Sequence, residues 1–194
     1  MGITGILLAG GQSRRYGSPK AFAELEGKYY YEHVRDALSA VCREVVIVTR
    51  PELTDRFPAR LRIITDAADV AGAGPLAGIH SAMRAAGDDR YFVLPCDMPY
   101  VTGGAVRNLA AFASPEADVS AVRTEEEPLP LFSIWSGRVE VRLGEALRQN
   151  RLSVMGFLGQ SHTEWIGSGK IHPDSTIFCN INTPDDQRKG GRQT

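Results

Sequence analysis

Disulfide scaffolds, zinc ribbons, membrane spans and broad nucleic-acid surfaces each need something this chain lacks. Its three cysteines, Cys42, Cys96 and Cys179, are widely spaced and include no C-x-x-C pair. An odd, scattered set argues against a disulfide framework or a zinc site and for a reducing compartment. No apolar run approaches the roughly 20 residues that cross a bilayer. The charges nearly cancel, 22 Lys and Arg against 23 Asp and Glu for a net charge of −1. No global field therefore draws the chain to nucleic acid or an anionic membrane, and an anionic ligand has to be held by local charge. His33, His80, His162 and His172 show no ligand spacing. No basic segment followed by a long apolar run opens the sequence, so the expectation is no signal peptide and a cytoplasmic location.

What is present fits one globular domain. With 194 residues, 43% of them hydrophobic, the chain is long enough for one well-buried core, and a second is not expected. The domain is expected over residues 1–186, with residues 187–194 as a frayed tail. Four short apolar runs, Gly5–Leu8, Val45–Val48, Leu61–Ile64 and Tyr91–Leu94, are mostly continuous, as strands buried on both faces of a parallel sheet are. Helical spacing lies between them at Tyr30, Val34, Ala37, Leu38 and Val41. It recurs at Leu76, Ile79, Met83 and Ala86, with Pro75 at the start and Gly87 as a stop. Pro51 and Pro58 predict a short or missing helix in between. The pattern predicts an α/β fold, a doubly wound, mostly parallel sheet with helices on both faces. Further on, Thr102 and Ser153 are candidate helix caps, "DVSAV" and "LPLFSIW" read as strands, and Gly137–Gln149 reads as helical. "TIFCNI" reads as a last strand, and the acidic run around Glu125–Glu127 as a solvated loop.

In such sheets ligands bind beyond the carboxyl ends of the strands. The four early strands end in Ala9-Gly10-Gly11, Thr49-Arg50, Asp66 and Cys96-Asp97. The opening loop, "LLAGGQSRRYGSPK", carries Arg14, Arg15 and Lys20, yet fits neither the Walker spacing nor G-x-G-x-x-G. Gly10 and Gly11 allow close backbone approach to a ligand, and Arg and Lys hold phosphate; a tight turn with a solvated basic surface is the alternative. Asp97, in "LPCDMP", has the chemistry of a Mg²⁺ ligand bridging to phosphate, or of an Asx turn before Pro99. "GAGPLAGI" supplies a helix N-terminus and Gly78, suited to an anion or a close-packed ribose, or is an ordinary Pro-started helix. Asn180 and Asn182 share one face if extended, while Asn182 and Thr183 are also candidate caps for a short helix at Pro184.

Together these residues resemble one family. "LLAGGQSRRYGSPKAFAELEG" is similar to the signature L-A-G-G-x-S-x-R-M-G-x-D-K-x-x-L-x-x-x-G of the molybdenum cofactor guanylyltransferases, the MobA group of nucleotidyltransferases. "YYYEHV", "GPLAGIHSAM", "LPCDMPYV", "EPLPLFSIW" and "NINTPDD" continue the likeness in order. The resemblance implies transfer of GMP from GTP to the terminal phosphate of molybdopterin, giving molybdopterin guanine dinucleotide and pyrophosphate, with Mg²⁺ as cofactor. It implies backbone contacts to the nucleotide from Leu8, Ala9, Gly10 and Gly11, with Thr49, Asp66 and Gly78 also in the nucleotide site. Arg15 and Lys20 would meet the phosphates, Asp97 would hold the metal, and Asn180 and Asn182 would lie toward the pterin. Expected partners are these two small molecules, with transient contacts to cofactor-biosynthesis proteins or acceptor apoenzymes, and neither nucleic acid nor membrane. Three positions depart from the pattern: Tyr16 for Met, Pro19 for Asp and Thr49 for Asn. A molybdopterin cytidylyltransferase or another small-molecule nucleotidyltransferase is the alternative, the A-G-G loop favouring guanine. A non-catalytic nucleotide sensor is a further one.

Overall fold

The computed structural model describes residues 2–11, 16–183 and 186. A central seven-stranded sheet is built from β1 (Ile3–Leu8), β4 (Glu44–Val48), β5 (Arg62–Ile64), β6 (Arg90–Pro95), β7 (Val119–Arg123), β8 (Pro128–Ser136) and β9 (Thr163–Gly167). A two-residue-by-two-residue hairpin, β2 (Glu24–Leu25) and β3 (Lys28–Tyr29), stands apart from it. Its turn puts Glu26 and Gly27 both at positive φ, 50° and 78°, the geometry that matches the twist of a tight hairpin. The helices are α1 (Tyr30–Leu38), α2 (Pro75–Ala86), α3 (Gly103–Phe112), α4 (Glu140–Arg148), α5 (Val154–Leu158) and α6 (Ser168–Ile171).

The strand order is β5-β4-β1-β6-β8-β7-β9. The first four are mutually parallel, β8 runs antiparallel to both neighbours, and β9 is parallel to β7. Alternation along β1 decides the layering. Ile6 packs into one core with Leu76, Ile79 and Met83 of α2 and Leu143 and Leu147 of α4. Leu7 packs into the other with Val34 and Leu38 of α1 and Val106 and Leu109 of α3. Helices thus cover both faces, as the continuous apolar runs require. Register aligns the ends of the parallel strands: Ile64 pairs Val48, Val48 pairs Leu8, and Leu8 pairs Pro95. The residues that follow all emerge along one edge. Because β1 leads to β4 on one side while β6 lies on the other, the strand order reverses there, the place where such sheets open a crevice.

The expected caps form: Thr102 accepts from the Ala105 amide at 3.2 Å and Ser153 from the Gly156 amide at 3.1 Å. Gly87 ends α2 in the left-handed region at φ 65°. The proline-rich connection after β4 holds only a 3-10 turn, Pro51–Arg56. "TIFCNI" is not a strand. Asp174 accepts from the Thr176 amide at 2.8 Å and starts a 3-10 turn, Ser175–Phe178, while Ile177, Phe178 and Ile181 are buried as single anchors. The last strand is instead β9, at the sheet's edge beside β7, where Ile166 alone is buried. No helix among the described residues is long and apolar enough to cross a membrane.

Candidate active site

A cleft of about 820 Å³ lies along the aligned strand ends. One end is built by Lys20 and Asp97, the other by Arg50, Glu52 and Asp66. Lys20 opens the 3-10 turn Lys20–Phe22 directly after Pro19, whose fixed φ of −61° sets the approach. Its ammonium donates to Asp97 Oδ2 at 3.1 Å and to Asn182 Oδ1 at 2.7 Å. Side chains 77 and 162 residues from Lys20 in sequence therefore meet at one atom. Asp97 comes off β6, and its own carbonyl accepts from the Ile181 amide at 2.8 Å, which docks the Asn180–Asn182 segment at the cleft mouth. Ile181 is buried while Asn180 and Asn182 are exposed, so both amides lie on one side of an extended segment. Among the described residues no backbone amide donates to the Asp97 carboxylate, so the Asx turn is not formed. Nor does Asn182 cap: Thr183 Oγ1 accepts from the Asp186 amide at 3.3 Å, and Asp186 Oδ2 accepts from the Thr183 amide at 2.8 Å. That reciprocal pair leaves the Asn182 side chain to Lys20.

The other expected residues divide. Leu8, Gly10, Gly11, Thr49, Asp66 and Gly78 line the cleft. Ala9 does not: it is buried, its amide donates to Val48 O at 2.8 Å, and its carbonyl accepts from the Thr49 hydroxyl at 3.4 Å. Thr49 is itself buried, so its hydroxyl serves the β1–β4 seam. Burial raises the Asp66 carboxyl above its ordinary value, partly offset by the Gly72 amide that donates to Oδ2 at 3.2 Å. At Gly78 a Cβ would stand 3.0 Å from Leu8 Cδ2 and 3.2 Å from Val48 Cγ1, so glycine lets the start of α2 come down onto the sheet and form the cleft wall. Arg15 lies outside the described residues.

Sequence reasoning named Arg50 only as a strand-end residue and did not name Glu52; the two form an ion pair at 3.1 Å in the wall. The signal was available, since Arg50 is the second residue beyond β4. Its Nε is buried with no partner among the described residues, a cation incompletely satisfied beside an open cleft. Burial pushes the Cys96 thiol up, which unfits it as a nucleophile. His80 sits away from the cleft, paired with Glu140 at 2.9 Å.

A second hollow of about 270 Å³ adjoins the cleft and shares Pro95, Asp97, Leu131 and Asn182 with it. Its far wall comes from β8. There pairing with β7 shifts: Ala121 faces Ser133 but Val122 faces Leu129, which throws Pro130 to Phe132 out of the ladder. Two prolines at the head of the strand have no amide to give to a ladder, and such bulges re-aim backbone beside sites.

The description "MobA-like NTP transferase domain" matches residues 5–163. The chain belongs to that family. A probable molybdenum cofactor guanylyltransferase of Geobacillus sp. (strain WCH70) is 34% identical over 95% of this chain and 95% of its own length. A protein of the same description from Bacillus subtilis (strain 168) is 35% identical over 93% and 90%. Among solved structures, molybdopterin-guanine dinucleotide biosynthesis protein A from Archaeoglobus fulgidus superposes with a TM-score of 0.81 at 26% identity, covering 97% of this chain and 96% of that one. In this MobA-like domain Lys20, Asp97 after β6 and Asn182 near the C-terminus meet at the Lys20 ammonium.

Proposed function

We propose that this MobA-like domain transfers GMP from GTP to the terminal phosphate of molybdopterin, releasing pyrophosphate and forming molybdopterin guanine dinucleotide. The observation that carries the reading is the Lys20–Asp97–Asn182 junction, which sits where the long cleft meets the smaller hollow. GTP would lie in the cleft with its phosphates at Lys20 and Asp97 and its nucleoside toward Asp66, Gly78 and Arg50. The acceptor would enter through the hollow beside Asn180 and Asn182, bringing its phosphate to the same point.

The chemistry asks little of acid–base groups. A phosphate monoester has a second pKa of about 6 and is largely dianionic at neutral pH, so the attacking oxygen is already ionised. The difficulty is to bring two polyanions together in line and to stabilise charge on the leaving pyrophosphate, a matter of positioning and electrostatics. Lys20 supplies a nearly buried cation at that point, its side chain 11% exposed. Arg15 would meet the phosphates as well. The donor set fits Mg²⁺, which takes one or two carboxylates and completes its shell with phosphate and water. Asp97 would hold it, and bound there the ion would neutralise charge on the phosphate oxygens. Both substrates are water-soluble anions, in keeping with a cytoplasmic enzyme.

The test is a turnover assay with molybdopterin, Mg²⁺ and each of GTP, CTP, ATP and UTP, reading dinucleotide and pyrophosphate together. The expected result is equimolar dinucleotide and pyrophosphate from GTP alone. CTP as the productive nucleotide would make the protein a cytidylyltransferase, and binding of nucleotide without pyrophosphate release would make it a sensor.

A further inference from the structure

Glu127 belongs to the acidic run that sequence alone assigns to solvent, yet it lines the smaller hollow. Its neighbours Glu125 and Glu126 are not part of that wall. The root of its side chain is fixed. Thr124 Oγ1 accepts from the Glu127 amide at 3.0 Å, and the Glu127 carbonyl accepts from the Thr124 amide at 2.9 Å and from its hydroxyl at 3.0 Å. Among the described residues none donates to the Glu127 carboxylate. A carboxylate on a residue that lines a pocket, and that takes no donor from the described residues, is an acceptor open to a ligand's donor. It cannot serve a phosphate, since like charge would repel it.

The rest of the hollow says what the donor is. Met98, Pro128, Pro130 and Leu131 give it low, apolar walls, and Asn180 and Asn182 give it amides. At about 270 Å³ it has room for a flat heteroaromatic ring. Among the described residues the only other carboxylate in the wall is Asp97, at the junction with the nucleotide cleft, where Lys20 already holds it. A ring that offers two adjacent N–H groups on one edge would meet one carboxylate with two parallel hydrogen bonds, the geometry in which charge-assisted pairs are strongest.

We propose that Glu127 is the acceptor-specificity residue, its carboxylate accepting from the N3–H and 2-amino group of a 2-amino-4-oxopteridine ring seated between the β8 bulge and the Asn180–Asn182 segment. This rests on the pterin-phosphate acceptor named above and adds which edge of the ring is read and by what. The ring's opposite end, which carries the phosphate, then points to Lys20 and Asp97.

The probes are pterin (2-amino-4-oxopteridine) and lumazine (2,4-dioxopteridine), which differ in whether position 2 carries an amino or an oxo group. Each is titrated as a competitor of the acceptor at saturating GTP, with the wild-type protein, Glu127→Gln and Glu127→Ala. The wild type is expected to prefer pterin by tenfold or more. In Glu127→Gln, whose amide can also donate to a 2-oxo group, that ratio should fall to within about threefold, with the KM for GTP and the melting temperature unchanged. Glu127→Ala should lose pterin affinity without gaining lumazine. A wild-type preference for pterin that survives in both variants would overturn the assignment while leaving the acceptor reading intact. A wild type that binds neither ring, or does not distinguish them, would overturn the assignment whichever acceptor the enzyme uses. Failure of the molybdopterin turnover assay itself is what would remove the acceptor reading beneath it.

Discussion

Lys20 illustrates how one side chain is specified by three distant parts of the chain. Its ammonium is held between an anionic oxygen and a neutral carbonyl oxygen, and its side chain is 11% exposed. A lysine gives up rotamer entropy of about 2 kcal/mol when fixed. The charge-assisted contacts offset that cost, and in the proposed reaction the arrangement keeps a cation in place before a phosphate arrives. Lys20→Met preserves the length and removes the charge. The expected result is a fall in kcat/KM of about 10² or more, the loss found when one preorganised donor to developing charge is removed. A change under about threefold, which is less than 1 kcal/mol, would reduce Lys20 to surface charge. Steady-state kinetics with GTP and acceptor measure it. Lys20 was visible in the sequence as the lysine of a basic, glycine-containing loop, and Asp97 because it follows a buried strand by two residues. The engagement of Ala9 and Thr49 was not, since their polar groups are consumed by the seam between β1 and β4. Pairing across a seam depends on register, which residue types alone do not encode.

Among the elements, α2 shows most plainly how packing shapes the site. Gly78 is the point of contact, where an added Cβ would come within 3.0 Å of Leu8 Cδ2 and 3.2 Å of Val48 Cγ1. Two effects oppose each other in Gly78→Ala. Alanine gains up to about 1 kcal/mol in helix propensity. Overpacking against the sheet costs about 1–3 kcal/mol. Stability should therefore fall only slightly, while the lifted start of α2 deforms the cleft wall and raises the KM for GTP several-fold. Thermal melts and GTP saturation curves on the same preparation separate the two. An unchanged KM would mean that Leu8 yields and α2 stays in place. The four parallel strands and α1 to α4 were legible from apolar periodicity, and the ends of α2, α3 and α5 from Pro75, Gly87, Thr102 and Ser153, which carry strong local signals. The hairpin β2–β3 and edge strand β9 were not, being too short or too polar for period 2 to show. "TIFCNI" looked like a strand because its apolar residues are buried, but the turn set by Asp174 spends them on the core without a ladder.

At the scale of the whole molecule the sheet has two halves with different work. The parallel half, β5-β4-β1-β6, presents its aligned ends to the long cleft. The half made of β8, β7 and β9 supplies the β8 wall of the hollow, and the proposed meeting of two ligands at Lys20 needs it held against the first. Asp118, at the foot of β7, is a polar tie within that half. Its carboxylate accepts from Arg138 Nε at 2.9 Å, from Arg142 Nη2 at 2.9 Å and from the His162 amide at 3.0 Å, joining α4 and the approach to β9 to one oxygen pair. Burial works to raise its carboxyl, but Arg138, the His162 amide and Arg142 together outweigh it and hold the carboxyl below the ordinary range. A carboxyl held low in the folded state takes up its proton later than in the unfolded chain as the pH falls. Its stabilisation is thus complete above the ordinary Asp value of about 3.9 and is lost as the pH drops through the lower folded value. Asp118→Asn keeps an acceptor oxygen and removes the charge. At neutral pH it should cost about 2 kcal/mol, the scale of hydrogen bonds to a charged group, or about 4–8 °C in melting temperature for a chain of this size. The gap between wild type and variant should narrow steadily below about pH 4, because there the wild type is losing what the variant never had. Melting curves from pH 7 down to pH 3 measure it, and a gap that stays constant over that range would show that the cost comes from altered packing and not from the charge.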